Sequence, residues 1–220
     1  MIGIMDFEKA RSRLVASLAR EITDKRVLDV MNIVPRHIFV PLEFQEAAYE
    51  DRPLPIGYDQ TISQPYIVAF MTQNLELTGS EKVLELGTGS GYQTAILSSL
   101  ARYVVSTERV PSLIDKASKI LDTLGYSNIQ IQAAAESLGW QSGAPYDAII
   151  ATAGAPRIPD ELISQLSIGG KMVIPVGSRY TQELLKITRL NNGNKIERLG
   201  PCRFVSLIGK GAWEDENSSS

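Results

Sequence analysis

The segment Val83-Leu84-Glu85-Leu86-Gly87-Thr88-Gly89-Ser90-Gly91 places glycines at alternate positions directly after a short apolar run. Without a Cβ, such a loop turns sharply and lets a ligand approach backbone amides closely. The helix-like stretch that follows offers free N–H groups, a natural seat for an anion. A dinucleotide-binding loop would read G-x-G-x-x-G with its last glycine at position 92, and that residue is Tyr92. Acidic Glu85 stands just ahead of the glycines. Glu108 ends the next β-rich run, about 20 residues beyond the loop, where a carboxylate commonly accepts hydrogen bonds from ribose hydroxyls. Taken singly, Glu85 and Glu108 read equally as solvated strand-end charges. With strand, glycines, helix, strand and acid in register, they read as a nucleoside-cofactor site.

The flanking pattern supplies elements to position these groups. Val83–Leu86, Val104–Thr107, Ile129–Gln132, Ala148–Ala151 and Met172–Val176 are strand candidates. Helices are expected over Tyr92–Leu100, from Pro111 to Leu124 with Gly125 closing it, and over Pro159–Leu166, stopping at Gly169-Gly170. This alternation implies an α/β fold with a doubly wound, mostly parallel sheet, Rossmann-like in kind. Ahead of it lies a helical and loop extension. Asp6 can cap a helix carrying Phe7, Ala10, Leu14 and Leu18 on one face. A second helix starts at Thr23, with Val27, Leu28 and Met31 inward. Prolines 35, 41, 53, 55 and 65 make Pro35–Pro65 mostly loop, while Phe39, Val40, Phe44, Leu54 and Ile56 imply that it is packed and ordered. At the far end, Glu183–Leu190 and Lys195–Leu199 flank Asn191-Asn192-Gly193 as an antiparallel hairpin. Phe204–Ile208 reads as a last strand, and Glu214–Ser220 as a disordered tail. One domain over residues 1–213 is expected, with 1–80 as the helical and loop region and 81–213 as the cofactor-binding core.

Composition narrows the function classes. The formal net charge of −3 argues against a nucleic-acid binder, which usually carries a basic face. A lone cysteine, Cys202, and a lone histidine, His37, leave no zinc-binding cluster and no internal disulfide. The N-terminus lacks the apolar stretch of a signal peptide, and the longest uncharged stretch, Gln60 to Leu75, is too polar to span a bilayer. A cytoplasmic protein, monomeric and without membrane or nucleic-acid partners, is the expectation.

Several ordered segments make the chain resemble the protein-L-isoaspartate O-methyltransferase family of class I methyltransferases. They include Val34-Pro35-Arg36-His37-Ile38-Phe39-Val40-Pro41, Ala48-Tyr49-Glu50-Asp51-Arg52-Pro53-Leu54-Pro55-Ile56-Gly57 and Gln60-Thr61-Ile62-Ser63-Gln64-Pro65. Val83–Ala95, Ser137-Leu138-Gly139-Trp140, Ala144-Pro145-Tyr146-Asp147 and Val173-Ile174-Pro175-Val176-Gly177 follow in order. The resemblance implies S-adenosyl-L-methionine as cofactor, S-adenosyl-L-homocysteine as its product, and isoaspartyl-containing proteins and peptides as partners. It implies repair: the free carboxyl of a damaged residue is esterified, and the ester collapses to a succinimide. Ser63 corresponds to the position the family marks as its active-site residue. Gln60, Thr61, Ile62, Glu85, Gly87, Thr88, Gly89, Ser90, Gly91 and Glu108 would then surround the cofactor, with Glu136 either reaching the adenine amino group or standing as a surface charge.

That chemistry requires little of the protein. A sulfonium methyl is already electrophilic and a carboxylate is ionised near pH 7, so alignment and exclusion of water remain. Ser63 also stands just before Pro65, where serine is a favoured helix N-cap, so one residue carries both a site reading and a capping reading. His37 reads as structural, Trp140 as packing, and Cys202 as a small buried residue. The chain departs from the family's pattern at Ala135, where an acid is usual, at Asp59, where glycine is common, and at Ser206, where proline is common. The alternative readings are a divergent class I methyltransferase acting on another acceptor and a non-catalytic binding protein on the same fold.

Overall fold

The computed structural model describes residues 6–214. The tail expected to be disordered therefore lies, from residue 215 onward, outside the described residues. Helix Phe7–Leu18 (α1) begins at Asp6, whose carboxylate accepts from the Lys9 amide at 3.0 Å. Helix Lys25–Ile33 (α2) is capped by Asp24 rather than started at Thr23, because the Asp24 carboxylate reaches the Arg26 amide. Both helices bury the face expected from their spacing: Leu14 and Leu18 on α1, Val27 and Met31 on α2.

The proline-rich stretch is more regular than its composition suggests. It holds two 3₁₀ segments, Arg36–Phe39 and Leu42–Ala47, and then an antiparallel hairpin of Leu54–Gly57 (β1) and Gln60–Ile62 (β2). The hairpin turn is Tyr58-Asp59, with φ of 56° and 55°. Positive φ at both central residues is the pattern of a type I′ turn, which matches strand twist. Asn-Gly or Asp-Gly would have signalled it; Tyr-Asp does not. Arg36 fastens this stretch from beneath. Its side chain is fully buried, its Nε donates to the Ala48 carbonyl at 2.8 Å, and its guanidinium lies 5.0 Å over the Tyr92 ring. Burial lowers its pKa to about 10.

Helix Pro65–Asn74 (α3) leads into the seven-stranded sheet. Its strands are Lys82–Leu86 (β3), Tyr103–Glu108 (β4), Ile129–Ala133 (β5), Tyr146–Ala151 (β6), Leu166–Gly177 (β7), Gln182–Leu190 (β8) and Gly193–Cys202 (β9). They lie in the order β5-β4-β3-β6-β7-β8-β9, parallel through β7 and antiparallel thereafter. Helices Tyr92–Ser98 (α4), Pro111–Thr123 (α5) and Asp160–Gln165 (α6) connect the parallel strands. Alternate residues face opposite sides of the sheet. Val83, Val104 and Ile150 pack with α1 to α3, while Leu84, Val105 and Ile149 form a second core on the other face.

Two expectations are corrected. Gly169-Gly170 does not end a helix; α6 stops at Gln165 and β7 runs straight through the glycines. A Cβ on Gly170 would sit 2.9 Å from the Asp147 and Ser167 carbonyls, so glycine permits a close backbone approach beside a register shift. Phe204–Ile208 forms no strand, only isolated bridges of Ser206 to Gly154 and of Ile208 to Trp213. The β8 edge is already paired by β9 as far as Cys202, so the segment turns instead over the C-terminal ends of β6 and β7.

Candidate active site

In a parallel sheet, a crevice opens at the carboxyl ends of the strands where the order reverses on either side of the first one. Here β3 has β4 on one side and β6 on the other, and a cavity of about 890 Å³ lies beyond these ends. The loop after β3 forms its floor. Gly87, Gly89 and Gly91 have φ of 94°, 53° and 88°, values that favour glycine. A Cβ on Gly87 would meet Thr152 Oγ1 at 2.3 Å, and that hydroxyl donates to the carbonyls of Leu86 and Gly87 at 2.9 Å each. The loop is thus clamped to the end of β6.

Glu108 closes the loop from the other side. Its Oε2 accepts from the Gly89 amide at 2.9 Å, and its Oε1 accepts from the Arg109 and Val110 amides at 2.8 and 2.9 Å. The carboxylate lines the cavity in a fixed orientation, as a ribose acceptor must. The Cβ-free backbone at Gly89, also on the wall, leaves the adjoining space open to a ligand.

Gln60, Thr61 and Ile62 of β2 line the same cavity, and so does Ser63. Gly87, Thr88, Gly89 and Ser90 line that cavity as well. The capping reading of Ser63 fails: the residue before α3 is Gln64, and the first-turn amide of Tyr66 is taken by Asp51 Oδ1 at 2.8 Å. Asp51 Oδ2 also accepts from Gln64 Nε2 at 3.0 Å. Ser63 therefore sits on the wall with its flanking residues anchored by another loop.

Three residues expected around the cofactor do not line the cavity: Glu85, Gly91 and Glu136. Strand parity turns Glu85 beneath the loop, on the Val83 side of the sheet. There its Oε2 accepts from Thr94 and Ser106 hydroxyls at 2.5 and 2.6 Å, while Oε1 has no partner among the described residues. Full burial pushes its carboxyl up to about 8. Ser106 Oγ also lies 2.6 Å from Thr88 Oγ1, so Glu85 reaches the cavity only through a hydroxyl chain. Gly91 lies behind the wall; a Cβ there would crowd Ala117 and Leu121. Glu136 is exposed, whereas Ala134 and Ala135 beside it are on the wall.

His37 stays away from the cavity, stacked 4.1 Å from Phe7 with Nδ1 2.8 Å from the Tyr49 hydroxyl, and burial lowers its pKa. Trp140 packs against the second core. Cys202 lines the cavity but burial pushes its thiol up to about 11, which suits a neutral packing group. Sequence reasoning missed Arg179 and the 201–208 segment on the far wall, where only an apolar run stood as a signal, and it read that run as a strand. Among the described residues, no cluster of His, Cys, Asp and Glu is arranged to hold a metal ion, and no helix is long and apolar enough to cross a membrane.

Comparison with known proteins agrees with this geometry. The family description Protein-L-isoaspartate(D-aspartate) O-methyltransferase (PCMT) matches residues 9–212. Protein-L-isoaspartate O-methyltransferase 1 of Syntrophobacter fumaroxidans is 53% identical over 213 residues, covering 96% of this chain and 100% of that protein. The Geobacter metallireducens protein-L-isoaspartate O-methyltransferase is 51% identical, covering 96% and 100%. Among solved structures, a protein-L-isoaspartate O-methyltransferase superposes with a TM-score of 0.81 at 26% identity, over 92% of this chain and 67% of that one. A Plasmodium falciparum beta-aspartate methyltransferase, solved with S-adenosyl-L-homocysteine, gives 0.77 at 29% identity, over 90% and 98%. This chain belongs to the protein-L-isoaspartate (D-aspartate) O-methyltransferase family.

Proposed function

We propose that the chain methylates the free carboxylate of L-isoaspartyl residues in damaged proteins and peptides, with S-adenosyl-L-methionine as donor. The observation that carries this reading is the convergence of Ser63 and the Gly87–Ser90 loop on one cavity that Glu108 also lines. When bound, the cofactor supplies an electrophilic methyl group on a sulfonium. The chain's own residues bind and aim. Glu108 would accept from the ribose hydroxyls, the Gly87–Ser90 backbone would lie along the cofactor, and Ala134 and Ala135 would border the adenine. The Ser63 hydroxyl would donate to one carboxylate oxygen and leave the other pointed at the methyl carbon. One C–O bond forms as one C–S bond breaks, and no proton has to move. Glu85 supports the loop from behind and takes no direct part.

In this reading the chain acts as one domain over residues 1–213 and as a monomer, its own residues bringing Ser63, the glycine loop and Glu108 onto one cavity. A single cysteine supports a reducing, cytoplasmic setting. The test is to give the purified protein tritiated S-adenosylmethionine with an isoaspartyl peptide and with the matched aspartyl peptide. A base-labile methyl ester on the first alone is the expected result. A second reading, a relative that methylates another acceptor, draws on Asp59 at the cavity wall, a negative charge near the path of an anionic substrate. Labelling of a cell extract with neither peptide labelled would favour it.

A further inference from the structure

The strand ends arrange the cavity wall in a fixed order. Glu108 ends β4, the glycine loop follows β3, Thr152 and Ala153 follow β6, and Arg179 lies just past the end of β7. All four strands are parallel, so their carboxyl ends share one edge. A ribose held by Glu108 occupies the β4 side of the glycine loop. The acceptor must therefore approach on the β6 and β7 side, where Arg179 lines the wall.

Arg179 is held as a recognition group. Its guanidinium carbon lies 4.6 Å from the centre of the Trp213 ring, Nη1 donates to Ser206 Oγ at 3.4 Å, and Nη2 donates to the Glu214 carbonyl at 3.5 Å. Stacking and side hydrogen bonds fix the plane of a guanidinium, and an N–H held in that plane can donate to the carboxylate oxygen that Ser63 binds, leaving the other oxygen free to attack. The wall from Thr152 to Ala153 and from Pro201 to Ile208 contributes Arg203 and no acidic residue. Ser206 stands where the family commonly has proline. The bridge to Gly154 uses the Val205 carbonyl and the Leu207 amide, so the backbone does not require either residue at 206. What serine adds is the oxygen that orients Arg179.

We propose that Arg179, oriented by Ser206 and Trp213, is a specificity-determining residue that recognises the anionic carboxylate of the acceptor. The inference rests on the methyl-transfer reading above, and its test separates the two.

Enzyme saturated with S-adenosylhomocysteine is titrated by calorimetry with an isoaspartyl peptide and with its neutral carboxamide analogue. The wild type should bind the acid about tenfold or more tightly over the amide, as loss of one charged contact implies. Arg179→Gln should level the two affinities and raise the peptide KM by about tenfold. Arg179→Lys, which keeps the charge and loses the fixed planar N–H, should fall between. S-adenosylhomocysteine affinity should stay within about twofold, because Arg179 lies at the other end of the cavity from Glu108. Arg179 sits in a surface loop, so circular dichroism should report an unchanged fold. An acid-over-amide preference that survives in Arg179→Gln, or is absent in the wild type, overturns the inference. If the wild type methylates neither isoaspartyl nor aspartyl peptide, the function itself falls and the inference with it.

Discussion

Asp51 caps the helix that begins at Pro65: its Oδ1 accepts from the Tyr66 amide at 2.8 Å, across 15 residues of chain. A carboxylate in one loop thereby fixes the helix start that follows Ser63. The hydroxyl at Ser63 is left to face the cavity.

Asp51→Ala removes that cap and should cost about 1 kcal/mol, which lowers the melting temperature by about 2–4 °C in a chain of this size. Peptide turnover should fall as well, with S-adenosylhomocysteine affinity retained. A calorimetric titration beside a steady-state assay checks both; an unchanged melting temperature would count against the cap.

Ser63→Ala separates the site role from the capping role. Since Ser63 does not cap α3, stability should change by less than about 0.5 kcal/mol. Turnover should drop about tenfold to a hundredfold, the worth of one lost orienting hydrogen bond. A destabilisation near that of a lost cap, with turnover intact, would restore the capping reading.

Glu85 makes stability fall with rising pH. Its folded pKa is raised to about 8, above its unfolded value of about 4.3. Between these values the folded state holds a proton that the unfolded state has lost. The contribution is full below the lower value and is lost progressively toward the upper one, several kcal/mol in all at about 1.4 kcal/mol per pH unit. Glu85→Gln should lack this slope. The difference in denaturation midpoint between wild type and variant, followed from pH 5 to 8, reads it directly; a constant difference would refute it.

Gly87→Ala combines a φ of 94° with a Cβ 2.3 Å from Thr152 Oγ1. Strain and clash together should cost about 2–4 kcal/mol and abolish measurable S-adenosylhomocysteine binding. Gly125→Ala, also at positive φ but with nothing near its Cβ, should destabilise less and leave binding intact.

Ala135 lines the cavity where an acid is usual, and Glu136 is exposed beside it. Ala135→Asp should tighten S-adenosylhomocysteine binding by about 2–10-fold through one added hydrogen bond. Glu136→Ala should change it little. Calorimetry on the two variants decides which position faces the adenine.

The sequence by itself determined the parts that short-range physics controls. Glycines at 87, 89 and 91 mark positive φ because only that residue takes it freely, and Glu108 follows one helix and one strand later because a parallel crossover needs that length. The alternation of β-rich and helical runs likewise carried the parallel sheet. What it left undecided were matters of direction and of distant contact. Glu85 and Glu108 look alike as strand acids and share a face of the sheet, yet Glu85 lies within β3, covered and bonded to Thr94 and Ser106, while Glu108 stands at the very end of β4, where it lines the cavity. The Tyr58-Asp59 turn has no sequence signal of its own, since neither residue favours positive φ as glycine does. Asp51 at Tyr66, Thr152 at Gly87 and Ser206 at Arg179 are side chains meeting backbone or one another from separate elements. No local pattern encodes such meetings; they exist only once the sheet has brought its strand ends to one edge.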